Sequence, residues 1–152
     1  MGIELTTGDL LVADVEALVN PVNTVGVMGK GLALQFKRAF PEVFREYAKA
    51  CKAGELEPGR VHLVRRLTSP EFIFHFPTKQ HWRQPSRLEW VVEGLADLRR
   101  QVQDLGINSI AVPPLGCGNG GLSWEDVRPE IEAAFANLPG VTVVLFRPAG
   151  AP

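Results

Sequence analysis

Apolar residues in this chain gather in two rhythms. Six short runs rich in Val, Ile, Leu and Phe read as strands: Ile3 to Thr6, Ala17 to Val19, Arg60 to Arg65, Phe72 to Phe76, Ser109 to Val112 and Val141 to Phe146. Several lack polar alternation, as strands covered on both faces do. Between them the apolar positions recur at helical spacing. Gly29 to Phe40 stops at Pro41, and Glu42 to Lys52 is followed by Gly54. Ser86 to Leu105 opens on a Ser86, Glu89 capping pair and ends at Gly106, while Ser123 to Asn137 opens on Ser123 and Asp126 in the same relation. The order strand, strand, two helices, strand, strand, helix, strand, helix, strand predicts an α/β chain. Its expected form is a three-layer α/β/α sandwich around a mixed central sheet of about six strands.

Length and composition bound this picture. With 152 residues and 45% hydrophobic content the chain can bury one core, which suits a single domain over residues 1–147. The closing residues, 148–152, read PAGAP and resemble the start of a linker, so a further C-terminal domain is expected beyond them. A formal charge of -1 excludes a broad nucleic-acid-binding face but allows a local patch. Cys51 and Cys117 lie far apart without metal-ligand spacing, and no signal peptide or run of membrane length occurs, which points to a reducing cytoplasm, no membrane and no metal. Trp90, Trp124, His62 and His75 sit on predicted helices or strands, and structural roles are expected for all four.

The candidate chemistry lies in two loops. Val19 to Gly31 reads VNPVNTVGVMGKG, and Gly116 to Leu122 reads GCGNGGL. Each follows a buried-looking strand and opens into a helix, so backbone amides gather at two helix N-termini, where anions bind. Neither loop is a standard nucleotide fingerprint. GVMGKG lacks the four-residue spacer, and Leu32 stands where a phosphate loop needs Ser or Thr. Gly116, Gly118 and Gly121 do spell G-x-G-x-x-G, but only one strand-like run follows, and it ends at Arg147 rather than an acid. Two such loops in one small chain favour a phosphate-containing ligand over plain turns and caps, which remain the alternative.

Four features carry a family resemblance over nearly the whole chain: the Gly8, Asp9, Leu10 turn, the Asn20-x-x-Asn23 run, the glycine-rich helix entry and the GCG loop. Together they resemble a macrodomain, the ADP-ribose-binding α/β fold. VNTVGVMGKGLALQFKRAFP, from Val22 to Pro41, and FPTKQHWR, from Phe76 to Arg83, are similar to the DarG-type branch. That branch is the antitoxin partner of DarT toxins, which ADP-ribosylate thymidine in single-stranded DNA. The resemblance implies a DNA ADP-ribosyl glycohydrolase that needs no cofactor. Its partners would be ADP-ribose, ADP-ribosylated single-stranded DNA and, through the full-length protein, a DarT-type toxin; the domain itself is expected to be a monomer. A non-catalytic ADP-ribose reader, or a hydrolase of ADP-ribosylated proteins or small ADP-ribose derivatives, stands as the alternative.

By this resemblance Asp9 accepts from the adenine amino group and the amide of Leu10 answers the ring nitrogen, against the plainer reading of Asp9 as a turn acid. The amides of Val27, Met28, Gly29, Lys30 and Gly31 on one side, and of Gly116, Cys117, Gly118, Asn119, Gly120 and Gly121 on the other, would enclose the diphosphate and distal ribose. Cys117 is expected to be loop filler rather than a nucleophile. Asn23 would face the distal ribose, while Asn20 would tie its own loop. Lys79 matches the lysine that carries the chemistry, either steadying the departing thymine and guiding water or acting as a nucleophile. Related human-type hydrolases place an aspartate where this chain has Gly120; thymine leaves as an imide anion and needs less acid assistance. Lys79 to Arg87, KQHWRQPSR, is the one local basic and aromatic cluster, in which Trp82 would stack on a base while His81 and Arg83 meet the DNA backbone, or else Trp82 would close the core beside the helix from Ser86.

Overall fold

A computed structural model describes residues 2–151. Its elements are β1 (Gly2–Thr6), β2 (Ala17–Val22), α1 (Gly31–Ala39), α2 (Pro41–Lys52), β3 (His62–Arg65), β4 (Phe72–Pro77), α3 (Leu88–Leu105), β5 (Ser109–Val112), α4 (Trp124–Phe135) and β6 (Thr142–Phe146). The six strands form one sheet in the order β1-β6-β5-β2-β4-β3. Every neighbouring pair is parallel except β3 with β4, so the sheet is mixed, as expected.

Successive strand residues feed opposite layers. Ala17, Val19, Phe72, Phe74, Phe76, Ile110 and Val112 meet Val91, Leu95 and Leu98 of α3 and Val127 and Ile131 of α4. Leu18, Val22, Ile73 and Ala111 meet Phe36 of α1 and Val43 and Tyr47 of α2. Two helices on each face make the three-layer sandwich, and burial on both faces explains why the strands read as unbroken apolar runs.

Several boundaries differ from expectation. The first helix starts at Gly31 rather than Gly29, with Lys30 as an extended N-cap. Ser123 does cap α4, accepting from the Glu125 amide at 3.2 Å. Ser86 caps nothing: α3 begins at Leu88, and the Ser86 side chain is buried against another loop. Trp124 packs on the core, while Trp90 is only half-buried, with the Arg87 guanidinium 5.1 Å over its ring. Within the 148–152 tail, Ala151 N–H closes a turn on the Pro148 carbonyl at 3.0 Å, and Pro152 lies outside the described residues.

The second strand also runs three residues beyond its expected end, through Pro21 to Val22. It pairs with β4 along its whole length but with β5 only at Ala17 and Leu18. Pro21 is tolerated because that stretch is paired on one side alone.

Candidate functional site

The parting of β2 from β5 makes the site. Past Leu18 and Ala111 the two strands separate, and Pro21 on one and Pro113 and Pro114 after the other lack the N–H groups that would zip them further. A cleft of about 420 Å³ opens there, at the carboxyl ends of the parallel strands, where open α/β sheets bind ligands. One wall is the loop from Asn23 to Gly31 with the start of α1, and the other is the Gly116–Gly120 loop.

Asn23 organises the first wall. Its Oδ1 accepts from the amides of Val25, Gly26 and Val27 at 3.1, 3.2 and 3.4 Å, and its Nδ2 donates to the Val27 carbonyl at 2.8 Å. The loop tie expected of Asn20 is therefore made by Asn23, whose Oδ1 and one Nδ2 hydrogen are engaged within the loop although the residue lines the cleft. The Val27 amide is turned inward as well. Among the described residues the amides of Met28, Gly29, Lys30 and Gly31 have no backbone partner, which leaves four donors at the α1 N-terminus.

The second wall splits likewise. The amides of Cys117 and Gly121 close turns on Pro114 and Gly118, at 3.1 and 3.3 Å, and Leu122 N–H holds the Gly116 carbonyl at 2.9 Å. Those of Gly118, Asn119 and Gly120 remain without a backbone partner. Gly120 is buried against Ser86, whose N–H donates to the Gly120 carbonyl at 2.9 Å. A Cβ at 120 would lie 2.6 Å from the Gly116 carbonyl oxygen, 2.9 Å from Ser86 Cβ and closer still to Ser86 Oγ. This loop has no room for the aspartate of the human-type relatives.

Lys79 spans the mouth between the walls. Its Nζ donates to the carbonyls of Trp82 at 3.3 Å and Asn119 at 3.2 Å. Partial burial, and secondarily the charge of Lys30 across the cleft, lower its pKa from the usual lysine range. Among the described residues no acidic side chain lines the cleft, and the charged ones that do are Lys30 and Lys79. Beside them Trp82 is 40% exposed, which excludes the core-closing reading. Its ring stacks with His81 at 5.1 Å and carries the Arg83 guanidinium 4.5 Å above it. Thr24 Oγ1 and N–H both reach the Gln80 carbonyl at 3.0 Å, tying this segment to the first wall.

Other expected site residues lie off the cleft. Asp9 and Leu10 do not line it; Asp9 Oδ1 caps the 3-10 turn Leu10–Val12, accepting from the Leu11 amide at 3.0 Å. Met28 and Asn20 are buried beneath the first wall, where Asn20 Nδ2 lies 3.9 Å from Met28 Sδ and 3.3 Å from His75 Nδ1. Burial, and then the neighbouring His62, push His75 down to about 3, so it is neutral and accepts at Nδ1. Cys117 is pushed up to about 11 by burial, which suits filler and not a nucleophile. Among the described residues no three His, Cys, Asp or Glu side chains gather as a metal site requires, and no helix is long and apolar enough to cross a membrane. Sequence reasoning missed Thr78, Ser86 and Tyr47. Only the lone tyrosine on an apolar helix face offered a signal.

Residues 19–131 match the family model described as Macro domain. The chain is 55% identical over 148 residues to a DNA ADP-ribosyl glycohydrolase of Thermus aquaticus, covering 96% of this chain and 41% of that protein. Among solved structures it is similar to the macrodomain of Mycobacterium tuberculosis DarG, with a TM-score of 0.95, 55% identity and coverage of 98% of this chain and 100% of that one. It is also similar to Thermosipho africanus DarTG in complex with ADP-ribose, with a TM-score of 0.93, 36% identity and coverage of 99% and 43%. The chain spans about two fifths of the length of the curated relatives it matches.

Proposed function

Because the chain belongs to the macro domain family, we propose that it acts as the hydrolase module of a DarG-type protein, releasing ADP-ribose from thymidine in single-stranded DNA. One observation carries the reading. A lysine with lowered pKa stands at the mouth of a cleft whose two walls present unpartnered amides and no carboxylate. The unpartnered amides of Gly29 to Gly31 and of Gly118 to Gly120 would take the diphosphate, with that of Met28 behind them. Backbone donors of this kind bind without a cation. Asp9 and Leu10, at the carboxyl end of β1, would take the adenine through Asp9 Oδ2 and the Leu10 amide, and Asn23 would shape the distal-ribose end.

The lysine favours covalent catalysis. A neutral amine can give its two hydrogens to the carbonyls of Trp82 and Asn119 and still hold a lone pair. Attack of Nζ on the anomeric carbon breaks the bond to thymine N3, and the bonding pair leaves on the imide, which takes the proton shed by the lysine nitrogen. The ribosyl-lysine then opens its ring to a Schiff base, the C1–O4′ bond breaking and O4′ taking the nitrogen's proton, and water hydrolyses that imine to ADP-ribose and the free amine. No lining carboxylate is available as a general base, which disfavours a direct water attack. At the edge of the cleft, Trp82, which lines it, would form with His81 and Arg83 a platform for the neighbouring nucleotides, Arg83 giving way to a base on the ring face. A DarT-type toxin is the proposed partner of the full-length protein.

The test is thymidine-ADP-ribosylated single-stranded DNA incubated with the wild-type protein and with Lys79→Ala. The wild type releases free ADP-ribose, and the variant loses orders of magnitude in turnover while binding ADP-ribose with little change. Borohydride added during turnover traps an adduct at Lys79. Robust turnover by Lys79→Ala would remove Lys79 from the chemistry, binding of ADP-ribose without any release by the wild type would return the chain to the reader class, and turnover without a trapped adduct would leave Lys79 an electrostatic role.

A further inference from the structure

We propose that Tyr47, on α2 and outside the cleft, is the positioning residue that sets the ligand-binding shape of the Asn23–Gly31 wall. The proposal rests on the reading of that wall as an ADP-ribose site. Tyr47 is fully buried, and its hydroxyl lies 2.9 Å from both the main-chain carbonyl and the side-chain Oδ1 of Asn23. Its single hydrogen is thus shared between the two oxygens of the residue that gathers the loop. With the amides of Val25, Gly26 and Val27, it makes a fourth donor on Asn23 Oδ1.

Gly26, at φ +96°, lies flat on α2, where a Cβ would stand 3.6 Å from Cys51 Cβ and 3.7 Å from Ala48 Cα. The loop therefore rests on the helix that carries Tyr47, one turn from the hydroxyl. The tyrosine ring in turn packs 5.0 Å from the His75 ring and 6.2 Å from Phe44, which leaves the hydroxyl little freedom to follow a moving loop. Residues Val27, Gly29, Lys30 and Gly31 leave this anchor and run straight along the cleft. Burial, and then the neighbouring Cys51, hold the phenol far above the ordinary tyrosine range, so it stays a donor at any pH the protein tolerates. Tyr47 touches no ligand in this arrangement and acts through Asn23 and the backbone of Gly26.

Two measurements test it, both on the whole chain. Tyr47→Phe keeps the ring and removes the hydroxyl; calorimetry with free ADP-ribose shows Kd rising by about tenfold, the effect of losing one buried hydrogen bond. On modified single-stranded DNA, KM rises similarly while kcat stays within about twofold, because Lys79 is untouched. A merely structural role would lower the melting temperature and leave Kd, measured well below it, unchanged. Tyr47 is the only tyrosine in the chain, so replacing tyrosine by 3-fluorotyrosine gives a single fluorine resonance at this hydroxyl. That resonance shifts on ADP-ribose addition with the midpoint found by calorimetry, and it keeps the proposal testable should Tyr47→Phe fold poorly. A Kd within twofold of wild type, or a resonance blind to the ligand, overturns the role of Tyr47. Failure of the wild-type protein to bind ADP-ribose overturns the site itself.

Discussion

Gly120→Ala is the sharpest probe of the glycine loop. The added methyl would approach the Gly116 carbonyl oxygen to 2.6 Å and Ser86 Cβ to 2.9 Å, distances that real Cβ atoms essentially never show. Neither neighbour is a free side-chain tip. The Gly116 carbonyl is held by Leu122 N–H, and Ser86 is tied to this loop through its own N–H on the Gly120 carbonyl, both at 2.9 Å. Relief requires a backbone shift that strains the packing by about 1–3 kcal/mol. Breaking one of those hydrogen bonds adds about 1 kcal/mol. The expected loss is therefore about 2–4 kcal/mol in urea unfolding, with weaker ADP-ribose binding as the Gly118–Gly120 amides move. Gly118→Ala is the matched control for stability, since a Cβ there meets nothing within 4 Å; its unfolding free energy stays within about 0.5 kcal/mol of wild type. Ser86→Gly in the Gly120→Ala background recovers part of the loss, because it removes two of the three clashing atoms. A Gly120→Ala protein as stable as the Gly118→Ala control would refute the reasoning and leave the missing aspartate without a steric cause.

Two further outcomes concern pH. His75 is pushed down to about 3, so it is neutral in the fold and protonates in the unfolded chain below its usual value of 6.5; stability is complete above that value and falls, by up to about 1.4 kcal/mol per pH unit, as pH drops toward 3. Urea midpoints at pH 7 and pH 5 measure this, and His75→Gln flattens the difference; an unchanged difference in that variant would assign the slope to other groups. Lys30→Met removes the charge that helps lower Lys79, so the pKa of Lys79 rises and the ascending limb of the kcat profile moves to higher pH, while Lys30→Arg leaves it in place. Identical profiles for all three proteins would show that Lys30 does not act on the reacting amine.

The layers were legible in the sequence because both faces of the sheet are covered, which turns strands into apolar runs that pattern alone detects. Errors arose where a local rule met a distant contact. Ser86 and Glu89 have capping spacing, but Ser86 packs beneath Gly120, thirty-four residues away in the chain, and the helix starts later. The strand expected to end at Val19 continues through Pro21 to Val22, a proline tolerated there because β5 has already departed. The two asparagines show the same limit. Pairing of Asn20 with His75 sends Asn20 into the core and leaves Asn23 to hold the loop, a division of labour set by strand register and not by the Asn-x-x-Asn spacing. Tyr47 is invisible to motif reading for a related reason, since its partner lies on another element.

The charge distribution has a kinetic consequence. The chain as a whole is slightly acidic, at a formal -1, while the cleft holds two lysines and no acid. A polyanion meets a nearly neutral body that offers little general attraction, while the low-dielectric walls of the cleft concentrate the field of the two ammonium groups at its mouth. On the proposed reading a strand would gain little from the rest of the surface and would engage at the cleft and the adjoining Trp82, His81 and Arg83 cluster, where a modified nucleotide can enter. Association should weaken gently with salt, with the shallow slope of a few phosphate contacts instead of the steep one of a wrapped strand. Such a module can sample much unmodified DNA without being held by it.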